Sequence, residues 1–132
     1  MAELDYAFLA DYAQIQEGKL SALGASFTHA VVATLPATWM TTVAGRVRAG
    51  ENEGPVNLSI KINPPNNEFD MSVNGVISAA EGVRPYEGKV GLLFTFTAQM
   101  PLLLEGLYEV LIFIGDEQVR RLAFSVELNP GV

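Results

Sequence analysis

Catalysis by a serine or cysteine nucleophile needs a histidine within hydrogen-bonding reach, and this sequence offers one histidine, His29, and no cysteine. His29 sits between Phe27 and Val31 on an alternating segment, the setting of a structural imidazole, and no Gly-x-Ser-x-Gly elbow surrounds any serine. A zinc site would need several nitrogen or sulfur ligands, which one imidazole without thiolates does not supply. Oxygen-only sites are better provided for. Asn66, Asn67, Glu68 and Asp70 form one candidate calcium cluster and Glu51, Asn52 and Glu53 another, but neither has the ligand spacing of a known calcium loop. Asparagine and acid at such positions also serve the hydrogen bonds of turns. Asp5 and Asp11, if both lie on one strand, stand about 20 Å apart, too far to act together on one bond. No glycine-rich loop leads into a helix, so dinucleotide and phosphate-loop fingerprints are absent. The residues point to no catalytic group, no metal and no cofactor.

The basic residues form two pairs, Arg46 with Arg48 and Arg120 with Arg121. Arg46 and Arg48 share a strand face, and cross-strand pairing with acids is their expected use, with an anionic partner as the alternative. Eight Lys and Arg stand against fifteen Asp and Glu, a net charge of −7, which repels phosphate backbones and anionic lipid. Neither nucleic acid nor a membrane surface is an expected partner.

The elements that must position these residues are strands. Val56, Leu58, Ile60 and Ile62 alternate with Asn57, Ser59, Lys61 and Asn63 and stop at Pro64-Pro65, the pattern of a sheet with one wet face. Leu122, Phe124, Val126 and Leu128 repeat it at the end of the chain. Tyr108, Val110, Ile112 and Ile114 share a face, but Leu107, Leu111 and Phe113 stand on the other beside Glu109, so this strand should be central or at an interface. Gly115 to Gln118 joins these two strands as a tight hairpin. Val90 to Ala98 forms a further strand that Pro101 closes, Thr41 to Arg48 another, and Phe69 to Ser78 another unless Asn74-Gly75 makes a bulge or turn. Leu4 to Ile15 suits a helix by propensity, yet Tyr6, Phe8, Ala10 and Tyr12 alternate with Asp5, Ala7, Leu9 and Asp11, and Glu17-Gly18 offers a turn; strand and hairpin is the favoured reading. Phe27, His29 and Val31 add a short strand before Pro36.

Seven or eight strands with turns between them, and no helix for a parallel crossover, predict one all-β domain over 1–132, a two-sheet antiparallel sandwich of immunoglobulin-like kind. A closed β-barrel is the alternative, since it uses the same alternation. The acidic N-terminus, Met1-Ala2-Glu3-Leu4-Asp5, lacks the basic region of a signal peptide, and no apolar run approaches the roughly 20 residues that span a bilayer. Together with the absence of cysteine this makes the cytoplasm the expected compartment.

Asp5-Tyr6-Ala7-Phe8-Leu9-Ala10-Asp11-Tyr12-Ala13, followed by Gly18-Lys19-Leu20 and Gly24, resembles a family of short bacterial proteins classed as a domain of unknown function. Gly106-Leu107-Tyr108 and the strand after Gln118 extend the resemblance to the end of the chain. It implies a small cytosolic β domain and brings no ligand residue with it. The last hairpin is also similar to that of immunoglobulin-like domains.

One feature is left over. Hydrophobic residues make up 49% against 17% charged, and several of them exceed what one core should need: Leu93, Leu107, Leu111 and Phe113 on the second faces of strands, then Met100, Leu102, Leu103 and Leu104 around Pro101. The surplus makes a protein-interaction or assembly module the leading expectation, a homo-oligomer that self-associates or binds a protein partner by an apolar sheet face or strand edge. The alternatives are a pocket for a small ligand, a hydrolase working through paired carboxylates, and a segment from Pro101 to Glu105 that folds over the sheet and consumes the surplus internally.

Overall fold

The computed structural model describes residues 2–79 and 83–131. Its strands run in chain order β1 (Glu3–Ala10), β2 (Tyr12–Gln16), β3 (Lys19–Leu23), β4 (His29–Val32), β5 (Ala37–Gly50), β6 (Val56–Asn63), β7 (Met71–Ile77), β8 (Lys89–Leu102), β9 (Gly106–Ile114) and β10 (Glu117–Leu128). One sheet has the order β1-β5-β8, the other β4-β10-β9-β6-β7, and β2 with β3 makes a separate hairpin. The two larger sheets face each other across the core as a sandwich. Neither closes on itself, so the barrel alternative is overturned, and there are more strands among the described residues than the seven or eight expected.

The alternation read from the sequence sorts side chains onto the two faces of each sheet. From β5 and β8, Val43, Val47, Ala49, Val90, Leu92, Phe94, Met100 and Leu102 point inward. They meet Leu58, Ile60 and Ile62 of β6 and Tyr108, Val110, Ile112, Phe124 and Val126 of β9 and β10, all buried in one cluster. The N-terminal ambiguity resolves to strands. Glu17 and Gly18 both take positive φ (54° and 71°), the geometry of a two-residue hairpin loop that matches strand twist and favours glycine at its second position. β7 passes through Asn74-Gly75 without bulge or turn. Gly75 faces inward there, and a Cβ would stand 3.2 Å from the ring of Phe96.

Two other expectations are corrected. Pro101 does not end its strand: β8 continues to Leu102, with Pro101 opposite Thr38, because an edge strand tolerates proline where no N–H is required. The sheets are not wholly antiparallel either, since β4 pairs parallel with β10 through Ser125 and His29 to Leu128 and Val32.

The flank of the sandwich where β1 lies beside β10 is sealed by the chain. Ser26 N–H donates to the Leu9 carbonyl of β1 (2.6 Å) and Ser125 N–H of β10 donates to the Thr28 carbonyl (2.9 Å), so the segment leading into β4 ties both sheets. Phe27 from the same segment meets Phe124 edge-on at 5.5 Å and Trp39 at 6.5 Å, while Tyr108 stacks on Phe124 at 5.4 Å. The Tyr108 hydroxyl donates to the Leu104 carbonyl (2.9 Å) and fixes the turn between β8 and β9. β1 itself carries a bulge between Leu4 and Tyr6.

Candidate interaction site

The opposite flank, where β7 and β8 run along the same side of the sandwich, is closed by less among the described residues: Val83 packs against the core, and Ser78 and Ala79 lie beside Val90 and Leu92. β8 lies at the margin of its sheet, and every residue from Lys89 to Leu102 is paired with β5 on one side only. On the other side the one pairing among the described residues is a bridge between Lys89 and Tyr86. The phase of the ladder follows from three observations. The N–H and C=O of Lys89 are both taken by Tyr86, on the side away from β5, while the C=O of Gly88 accepts from Glu51 N–H at the end of β5. Successive residues of a strand direct their main-chain groups to opposite sides, and the register has no shift. Gly91, Leu93, Thr95, Thr97 and Gln99 therefore present N–H and C=O outward along the flank. Pro101, in the same phase, ends the row for want of an N–H.

No side chain from Val90 to Leu104 carries a charge. Natural edge strands are commonly guarded by charges, bulges or cover, and β8 has Lys89 and Pro101 only at its ends. Charges gather on the outer face of this sheet around β1, β5 and the Lys89 end of β8, where the Arg46 side chain lies over Gly91. Arg46 binds Asp5 through Nε (2.7 Å) and a second guanidinium nitrogen, Glu3 lies 3.8 Å from Arg48 and 3.4 Å from Lys89, and the guanidinium groups of Arg46 and Arg48 stand 5.4 Å from the rings of Tyr6 and Tyr86. Hydrogen bonding to Asp5 raises the Arg46 pKa above its ordinary value, against a smaller opposing effect of burial. The cross-strand role expected of Arg46 and Arg48 is the observed one.

Between the two edge strands the core is partly open. Thr41, Val43, Ile60, Ile62, Met71 and Val73 line a recess that Phe96 plugs from β8. Val73, on the inward face of β7, is still 44% exposed. The recess holds about 70 Å³, against several hundred for a typical ligand pocket.

The chain matches the family described as a family of unknown function (DUF6941) over residues 5–127. It belongs to that family. The match spans both ends that carry the resemblance, from Asp5-Tyr6-Ala7-Phe8 to the closing strand, and no curated protein matches the chain.

In this DUF6941 chain the residues expected at an interface part company. Met100 and Leu102 are wholly buried in the core, which corrects their assignment to a partner surface: β8 extends past them and turns them inward. Leu104 is half-buried and Leu103 is exposed at the β8–β9 turn, and Pro101 and Leu102 extend β8 instead of folding over the sheet as the internal-cover alternative expected. Leu93, half-buried, stands on the outer face of β8 and belongs to the open edge. Leu107 is 46% exposed, and Leu111 and Phe113 are half-buried, on the outer face of β9, the middle strand of the five-stranded sheet. Glu109 and Arg121, 2.5 Å apart, interrupt that stripe with an ion pair.

The chemical candidates are not brought together. His29 is exposed on β4, its Nδ1 3.1 Å from the Thr28 hydroxyl. Among the described residues no three His, Asp or Glu side chains converge on one point. Asn66 and Asn67 take consecutive positive φ values (56° and 53°), a use of asparagine that turns favour. Sequence reasoning missed Thr95, Thr97 and Gln99, because what they offer is main chain. The signal available was the charge-free run after Lys89.

Proposed function

We propose that this protein is a non-catalytic interaction module that binds a protein strand along the β8 edge. The observation that carries the reading is the row of outward main-chain groups from Gly91 to Gln99 on a strand without charge. Strand addition draws affinity from such groups and specificity from alternate side chains, which here are Leu93, Thr95 and Thr97 on the outer face and Phe96 beside the recess. The net charge of −7 weighs against nucleic acid, and the recess beside β8, at about 70 Å³, is too small to hold a drug-sized ligand at this edge.

The test is a photo-crosslinking residue placed in the full chain at Thr97 or, separately, at Ser59 on the outer face of the five-stranded sheet, in cells that natively make the protein. Protein adducts from Thr97 and none from Ser59 support the edge. Adducts from Ser59 alone, or from neither position, overturn it.

A further inference from the structure

We infer that the strand added to β8 is β8 of a second copy, antiparallel about a two-fold axis at Thr95; this rests on the edge reading above and names its partner. The bonding row itself has this symmetry. Gly91 and Gln99 lie equally far from Thr95 on either side, as do Leu93 and Thr97, and the row is bounded by Lys89, whose groups Tyr86 occupies, and by Pro101, which lacks an N–H. An antiparallel copy centred on Thr95 sets Thr95 against Thr95, Leu93 against Thr97 and Gly91 against Gln99. Every outward N–H in the row then meets a carbonyl of the same row, over about 27 Å at the usual rise per residue. A register displaced by one pair toward Lys89 strands the N–H and C=O of Gln99. One displaced toward Pro101 only exchanges the bond to the Gly91 carbonyl for one to the Pro101 carbonyl, and the cross-links below distinguish it from the register centred on Thr95. Displacement by a single residue would set outward positions against inward ones and turn the side chains to the wrong faces.

Side chains agree with that centre. On the axis Thr95 meets its own copy, so a charge there would face a like charge, and a charge elsewhere in the row would face an uncharged partner. The segment from Val90 to Leu104 has none, in a chain whose net charge is −7 and which would otherwise repel its own copy. On the inward face Phe94 falls opposite Phe96, and Leu92 opposite Ala98. This adds apolar contact beside the recess that leaves Val73 exposed, and the two three-stranded sheets become one sheet of the order β1-β5-β8-β8-β5-β1.

The test uses the full chain in light scattering after size exclusion over a wide dilution range, with variants at the axis. The expected wild-type result is a dimer that dissociates on dilution. Thr95→Pro removes an outward N–H and no bond to β5, and should weaken the dimer by about tenfold or more, a difference of at least about 1.4 kcal/mol. Should Thr95→Pro fail to fold by circular dichroism, Thr95→Lys replaces it, setting like charges against each other. Because the chain has no cysteine, single thiols report the register independently. Thr95→Cys should oxidise to a covalent dimer, since directly opposed bonded residues have Cα atoms about 5.5 Å apart, within the disulfide range. Gly91→Cys and Gln99→Cys should cross-link when mixed and not alone. A monomer at every concentration overturns self-pairing, as does a dimer indifferent to the axis variants with no Thr95→Cys cross-link. In either case Thr97 adducts to a different protein would leave the edge reading standing, and their absence would remove both.

Discussion

Two flanks of one sandwich, built from the same kind of alternating strand, are finished in opposite ways. Where β1 lies beside β10, Ser26 and Thr28 bond to one sheet each, Phe27 drops into an aromatic cluster with Trp39, Phe124 and Tyr108, and Arg46 and Arg48 engage the acids of β1. Where β7 and β8 lie, the edge from Val90 to Leu102 has no charge, no bulge and, on the side away from β5, no hydrogen-bonded strand among the described residues. β2 nevertheless lies near β8, Val83 packs against the core, and Phe96 lines the recess from the rim. Edge strands invite pairing unless something prevents it. The chain concentrates its hydrogen-bonded and aromatic cover on one flank and leaves the other more open.

The comparison can be broken at several levels. The largest effect should come from the sealed flank. Phe124→Ala removes a ring enclosed by Phe27 and Tyr108 and should cost about 3–5 kcal/mol in urea unfolding. The same truncation at half-buried Phe96 should cost about 1–2 kcal/mol, in proportion to the smaller area it hides. Equal losses would mean that the two flanks are packed alike. Tyr108→Phe keeps the stack and deletes the hydroxyl bond to the Leu104 carbonyl, which should cost about 1 kcal/mol by the same measurement.

Charge changes should matter less. Asp5→Asn weakens the pairing with Arg46, whose two side chains are 26% and 35% exposed, so a loss of about 0.5 kcal/mol or less is expected, shrinking further in high salt. The smallest effect lies in the β5–β6 loop. There the Gly50 N–H donates to the Glu53 carboxylate (3.0 Å) and holds its pKa below the ordinary 4.5. A carboxyl lowered by folding stabilises the fold above its unfolded value and loses that contribution as pH falls through the folded one. Glu53→Gln should therefore narrow slightly the difference in melting temperature between pH 7 and pH 3; an unchanged profile would dismiss this hydrogen bond as a contributor.

Much of the architecture was legible because side-chain period reports which face is buried. The β6 alternation, the β9–β10 hairpin and the turn at Glu17-Gly18 all stand where the residues put them. Period says nothing of which strand lies alongside, so the parallel contact of β4 with β10 was unreadable, as was the passage of β8 through Pro101 that carries Met100 and Leu102 into the core. The candidate site was harder still. Its binding groups are N–H and C=O, identical at every residue, and only the bonds of Gly88 and Lys89 reveal which of them face outward.

The bulge between Leu4 and Tyr6 has a consequence at larger scale. Fibres grow when a sheet offers a receptive margin at both ends, and a kinked, acid-bearing first strand withdraws one of them from the three-stranded sheet. Joining through β8, as proposed above, would consume the other. Growth in that sheet would then halt at a pair, and a chain with an open strand would be spared endless stacking.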